Sequence, residues 1–419
     1  MKKLALLSIA ALFAISACKK DDHIFDKSPD ERVNESLKGY KQKLTESAHG
    51  WKAFLFPKEG GGYTFMMKFN AEGNVSMTMD FSDASLYNPE ESTYRLRALE
   101  APALVFDTYS PYIHLLSNPD NFESPSAYET DFEFIFKESK GDTIKLIGVH
   151  YKNELLLVKA NQEDDNKLKK THEVFGNMNG ITTYFKDLDV DGQKYQITYS
   201  TTLPRNINFS YIENSQVKTF STGYYFNENG LQLVEPFNTG KSAIAGLNFT
   251  EFDPTTQIVS LITNSGKAGT IKGGTAPLQY DLNTAKEFYN NPSNGSYWIS
   301  TGGFTIDGVA DAYNVQSIPG FNFLLFWPKY NPAYSRLGYI VNGGWASYGP
   351  APIAKFTEDG LISFTSAGSF GTPPATIKPI VDKVTAKWID PSGYYVIKTG
   401  NKTYDLVSAK DARTWISFE

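Results

Sequence analysis

Residues 63–81 read YTFMMKFNAEGNVSMTMDF. Tyr63, Phe65, Met67 and Phe69 alternate with Thr64 and Lys68, and Met66 is the one apolar exception. Asn70-Ala71-Glu72-Gly73 turns the chain. Val75, Met77, Met79 and Phe81 then alternate with Asn74, Ser76, Thr78 and Asp80. A period of two on both arms buries one face and wets the other, which marks an antiparallel hairpin.

Upstream of this hairpin, Trp51–Phe56 reads as a strand. Before it, Ser28-Pro29-Asp30-Glu31 carries an N-cap, a proline at the first helical position and the glutamate of a capping box. Val33, Leu37, Tyr40 and Leu44 follow as one apolar stripe, so a helix is expected to end near Ser47. Downstream, strands are expected at Tyr94–Leu99, Ala103–Thr108, Asp131–Lys137, Thr143–Val149 and Leu155–Lys159, with a short helix at Pro111–Ser117. A helix followed by about eight short strands implies a lipocalin-like barrel or meander over residues 28–160.

The later chain repeats this grammar. The polar stretch 160–171 reads as a linker, and a second β-rich region follows over 172–263. A Gly/Thr/Ser/Lys-rich stretch from Asn264 to Ala276 reads as a second linker or loop. The region 277–419 is again β-rich, either separate or forming one unit with 172–263. It opens with a short helix at Leu282–Tyr289 before Trp298, echoing the helix before Trp51. Phe69/Gly73, Phe226/Gly230 and Phe356/Gly360 each set an aromatic four residues before a turn glycine. The expected class is therefore mainly β: tandem antiparallel β-domains with a few short helices.

The segments FDKSPDERVNESLKGYKQKL, GWKAFLFP, GGYTFMMKF, TYRLRALEAPALVFDTY and GDTIKLIG all lie within residues 25–148. They resemble the family called domain of unknown function 4302. That resemblance implies lipoproteins of the Bacteroidota and brings no activity, ligand or site residue with it.

The N-terminus carries its own reading. Lys2 and Lys3 precede an apolar run from Leu4 to Ala17 that is too short to span a bilayer, which needs roughly 20 apolar residues. A basic start, a short apolar segment and a small-residue exit describe a cleavable signal over residues 1–17. Cys18 follows directly and is the only cysteine of 419 residues, so no internal disulfide exists to use it. The arrangement resembles a bacterial lipoprotein signal, which implies lipidation of Cys18 and a tether over 18–27. Lys20-Asp21-Asp22 resembles the surface-export signal of Bacteroidota lipoproteins. The expectation is an outer-membrane protein, anchored in the membrane through Cys18 and facing the cell exterior.

Composition removes several function classes. A formal charge of −6 argues against nucleic acid, which needs a basic face. One cysteine excludes cysteine-based zinc and iron–sulfur sites. No HExxH and no G-x-S-x-G elbow occur. Asp187, Asp189 and Asp191 before Gly192 spell the start of a calcium loop, making calcium the one cofactor the motifs suggest. The glutamate required at the twelfth position is instead Thr198, and an Asp-Gly hairpin turn explains the same residues without metal.

The densest aromatic stretch supplies the candidate ligand site. Phe321 and Phe323 alternate as core residues would, whereas Trp327, Tyr330, Tyr334, Trp345 and Tyr348 lie among Pro, Gly and Asn on loops. Trp and Tyr join apolar bulk to a polar tip, which suits the faces of sugars, flavins or porphyrins. The same residues could instead plug a barrel end. The leading expectation is non-catalytic capture of a small ligand, handed to an outer-membrane transporter. A polymer hydrolase using carboxylates, or a structural subunit of a surface complex, are the alternatives.

Overall fold

The computed structural model describes residues 27–58, 60–118, 128–200, 204–238 and 243–419. Cys18, the apolar run before it and most of the tether lie outside the described residues. The described chain is mainly β, with antiparallel strands throughout and five short helices. It divides into two compact units. One comprises 27–58, Phe65–Met79 and Tyr87–Asp165; the other comprises 60–64, Asp80–Leu86 and Asn166–Glu419.

Helix α1 (Pro29–Glu46) starts as its capping box dictates. Ser28 N–H donates to Glu31 Oε2 at 2.9 Å, and Glu31 N–H donates to Ser28 Oγ at 3.2 Å. Strands β1 (Trp51–Phe56), β2 (Tyr63–Phe69), β3 (Asn74–Met79) and β4 (Glu90–Ala98) follow. Helix α2 (Asp83–Tyr87) lies between β3 and β4. Strands β5 (Pro102–Phe106), β6 (Glu133–Lys140), β7 (Thr143–Gly148) and β8 (Glu154–Lys159) complete a closed barrel in sequence order, β8 pairing with β1. Residues 111–117, expected as a helix, form a run of turns instead.

Helix α3 (Asp164–Asn179) occupies much of the stretch expected to be a linker. Leu168, Thr171, Val174 and Met178 are buried at spacings of three, three and four, the period of a packed helix beneath a charged sequence. A second closed barrel follows. Its strands are β9 (Phe185–Val190), β10 (Gln193–Tyr199), β11 (Asn206–Glu213) and β12 (Gln216–Asn227). They continue as β13 (Gly230–Asn238), β14 (Ala243–Asp253), β15 (Ile258–Thr263) and β16 (Ala268–Gly274), which pairs back onto β9. The stretch read as a second linker thus contains the strand that closes this barrel.

One cation of this barrel is poorly solvated. Lys186 donates to Thr183 O at 2.8 Å and lies over the Tyr199 ring, and burial pushes its amine down to about 8 from 10.5. Above about pH 8 the unfolded chain therefore holds a proton that the folded chain has released, so stability rises with pH. Burial holds Tyr199 and Tyr224 well above the ordinary tyrosine value, and their ionisation in the unfolded chain reverses the trend above about pH 10. Urea midpoints are expected to climb between pH 8 and 10, and Lys186→Met should flatten that climb. An unchanged climb in the variant would assign it elsewhere.

The last region begins with helix α4 (Thr284–Asn290). Strands β17 (Trp298–Ser300), β18 (Thr305–Ile306), β19 (Phe321–Trp327) and β20 (Arg336–Val341) come next, then β21 (Gly344–Trp345) and β22 (Gly349–Phe356). Strand β23 (Ile362–Phe370), helix α5 (Lys378–Trp388), β24 (Tyr394–Gly400), β25 (Thr403–Ser408) and β26 (Thr414–Phe418) end the chain. A four-stranded sheet β17-β19-β20-β21 and a six-stranded sheet β18-β26-β25-β24-β23-β22 enclose one core containing Trp298, Phe326, Phe364 and Trp388. Ile299 and Glu419 exchange both backbone hydrogen bonds at one seam, and Ser335 N–H donates to Pro352 O at the other.

The echo between the two tryptophans is geometric. Trp51 Nε1 donates to Leu44 O of α1, and Trp298 Nε1 donates to Phe288 O of α4, each at 2.9 Å. Each indole thereby ties the end of a helix to the strand that follows it. The aromatic-then-glycine triplets are different. All three lie at hairpins, but at different strand positions, and only Gly73 and Gly360 have positive φ. They are turn chemistry rather than a repeat.

Candidate functional site

The aromatic site is created by one extra residue in β19. The pairing of β19 with β20 slips between Phe321 and Phe323. Because successive strand residues face opposite sides, this bulge inverts the alternation beyond it. Phe321 packs against the core, and so do Leu324 and Phe326, while Phe323 is not part of that core. The same inversion turns Trp327 outward. Its cross-strand partner Arg336 shares that outer face, as does Gly338.

Gly338 makes room. A side chain there would meet the Trp345 ring at 3.2 Å and Arg336 Nε at 3.5 Å. In its absence the Trp345 indole covers the strand and packs on Arg336, with 4.4 Å between guanidinium and ring centroid. Phe370 is 4.5 Å from the same guanidinium and Tyr330 is 5.5 Å away. Arg336 Nη2 donates to Ala346 O at 2.9 Å. A weakly hydrated planar cation between ring faces is a favourable arrangement, worth about 1–2 kcal/mol where partly desolvated.

The β19–β20 connection is shaped by Asn331. Its side-chain oxygen accepts from Ala333 N–H at 2.8 Å and from Tyr334 N–H at 3.0 Å, a turn in which asparagine replaces a backbone carbonyl. Tyr330 and Tyr334 consequently stack, 6.4 Å apart at 24°, and both meet Phe370. Trp327 meets Tyr330 edge-on at 5.4 Å and Trp345 at 5.8 Å. Beside Tyr330 and Tyr334 opens a groove of about 630 Å³, lined also by Tyr289, Lys329, Ile353 and Ala354. Tyr330 is 37% exposed and Trp345 45%, so two large aromatic faces are offered to solvent.

Four of the five expected residues are thus brought together: Trp327, Tyr330, Tyr334 and Trp345. Tyr348 is not among them. It is buried in the core beside Tyr339, with ring centroids 5.4 Å apart. The sequence reading missed Arg336, Phe370, Lys329 and Tyr289. Arg336 lies inside the aromatic stretch and could have been noticed; Phe370 is distant in sequence and could not.

The aspartates expected as calcium ligands lie on β9 and its turn. Asp191 and Gly192, with φ of 52° and 76°, form the two-residue left-handed turn to β10. Asp187 accepts from Gln196 Nε2, Asp189 from Gly192 N–H, and Asp191 pairs with Lys267 Nζ at 2.8 Å. The three carboxylates are engaged separately. Among the described residues no group of three or more His, Cys, Asp or Glu side chains is placed to hold a metal ion. Among them, too, no helix is long and apolar enough to cross a membrane.

Fold and site together define a multi-barrel β protein with an exposed aromatic groove. The chain belongs to the family described as domain of unknown function (DUF4302), whose model matches residues 21–251, more than half of the chain. The groove lies C-terminal to the matched residues. No curated protein matches the chain. Among solved structures, the octameric penicillin-binding protein homologue from Pyrococcus abyssi aligns over 33% of this chain and 33% of its own, with 11% identity and a TM-score of 0.16. That likeness is too slight to carry an argument.

Proposed function

We propose that this protein is an outer-membrane lipoprotein, held through Cys18 and facing the cell exterior, which captures a saccharide and passes it to an outer-membrane transporter. The observation that carries the capture step is the convergence of Trp327, Tyr330, Tyr334 and Trp345 on one outer face beside an open groove. Exposed apolar rings are costly to keep in water, and a patch of them rimmed by polar groups marks a binding surface. A sugar ring offers an apolar C–H face to such rings and hydroxyls to the phenol and indole tips. The anchor is supported by Cys18 and its flanking residues.

One experiment addresses capture and placement together. Intact cells producing the protein are expected to bind a fluorescent oligosaccharide, and brief protease shaving should remove both protein and signal. Tyr334→Ala, which removes half of the Tyr330–Tyr334 wall of the groove, should weaken binding about 30-fold, a loss of roughly 2 kcal/mol. Protein that survives shaving would contradict outward placement. Wild-type cells that bind none of a broad oligosaccharide panel would contradict capture.

A further inference from the structure

We infer that the groove selects acidic saccharides, sugars carrying a carboxylate, and that Lys329 reads that charge; this rests on the capture reading above. The protein as a whole is acidic, with a formal charge of −6, yet the groove is cationic. Lys329 lines it, and Arg336 stands behind its Tyr330 wall. Among the described residues neither cation pairs with a carboxylate, whereas Lys267, Lys378, Lys398 and Arg413 elsewhere in this unit do. Arg336 is held between rings and spends Nη2 on Ala346 O, so its charge adds to the local field without being free to clamp a ligand.

Lys329 is differently placed. Its side chain is exposed, and its amine reaches over the Tyr289 ring at 5.9 Å; both residues line the groove together with Tyr330 and Tyr334. Its backbone sits at φ 52°, a left-handed conformation that a lysine adopts at a cost. That conformation is held from within: Lys329 N–H donates to the fully buried Ser335 Oγ, which also bonds to Tyr289 OH at 2.9 Å. A strained residue kept in place by a buried hydroxyl, and presenting an unpaired ammonium to an aromatic groove, fits a ligand with a ring for the tyrosines and an anion for the amine. A uronate unit has both.

The test uses the full chain in a non-glycosidic detergent and two probes with the same ring and linkage, oligogalacturonate and its methyl ester. Calorimetry is expected to show the acid binding at least tenfold tighter than the ester, as a hydrogen bond to a charged group provides. Raising salt from about 50 to about 500 mM should erase most of that difference. Lys329→Asn, which keeps a residue tolerant of left-handed φ, should bring acid and ester to within about twofold of each other, removing most of the tenfold preference. Equal binding of both probes by the wild-type protein would overturn acid selection and leave capture standing. Binding of neither probe, and of no neutral oligosaccharide, would overturn both. Retained acid preference in Lys329→Asn would remove Lys329 from the role.

Discussion

Arg205→Ala is expected to destabilise the second unit by about 3–5 kcal/mol, the loss seen when one partner of a buried ion pair is removed. Arg205 is 1% exposed, and the Asp80 side chain is fully buried. Nη1 reaches both carboxylate oxygens of Asp80 at 3.0 Å and Gly62 O at 3.1 Å, and Nη2 donates to Asp80 O. The guanidinium is sandwiched between Tyr63 and Phe226, 4.5 and 4.7 Å from the ring centroids. Without it, Asp80 would keep the Thr64 N–H, at 3.0 Å, as its donor and would be left as a buried charge.

Burial already pushes the Asp80 carboxyl upward, with the Arg205 charge as the largest opposing influence. In Arg205→Ala that opposition is gone, so Asp80 protonates more readily in the folded state than in the unfolded one. The folded state then binds the extra proton, and the deficit should shrink as pH falls from 7 towards 5. Urea unfolding of wild type and variant at both values measures this. Asp80→Asn with Arg205→Met should recover most of the loss, since a neutral pair leaves no charge stranded. A single-variant loss under about 1 kcal/mol would show that the pair is not holding residues 60–64 and 80–86 in this unit.

Gly61→Ala is the second large effect, expected at about 3 kcal/mol or more. A Cβ at Gly61 would lie 1.9 Å from Tyr224 O, 2.5 Å from Arg205 O and 2.7 Å from Tyr224 N. These are backbone atoms of the second barrel's wall, where Gly62 N–H donates to Tyr224 O and Tyr224 N–H donates to Arg205 O, each at 3.0 Å. No rotamer change can relieve such contacts. Facing Gly61 is Gly223, whose own Cβ would meet Gly61 Cα at 2.8 Å. The two substitutions dismantle one contact, so Gly61→Ala and Arg205→Ala should be strongly non-additive in thermal or urea unfolding. Additive losses would mean that the two features stabilise different parts of the molecule.

Much of the fold was legible in the residues. The capping box of α1 and the alternation in residues 63–81 are local signals, and the elements appear where those signals place them. Strand β16 was hidden by composition. Its Gly269, Gly273 and Gly274 avoid close contacts with Asp189 O, Thr183 and Asp187, so packing demands glycine where sequence reading sees a linker. Helix α3 was hidden by its charged start, although its apolar period is present. The polarity of a half-exposed helix and that of a linker look alike until the period is counted.

The ligand site was legible in part for a sharper reason. Aromatic density along 327–348 is visible in sequence, but which rings face outward depends on the bulge between Phe321 and Phe323, which shifts the whole register by one. Tyr348, at the far end of the same stretch, faces the core instead. Phe370 arrives from the end of β23, a neighbour made by topology alone. Lys329 gave no sequence signal beyond being a lysine in a turn. Its significance comes from the absence of an acidic partner and from its left-handed backbone.

The most direct test of the capture site is a crystal structure of the full chain grown with oligogalacturonate. The sugar ring should lie on the Tyr330–Tyr334 wall with its carboxylate at Lys329 Nζ. Saccharide density on another surface, with the groove lined by Tyr289, Lys329, Tyr330 and Tyr334 filled by solvent, would contradict it.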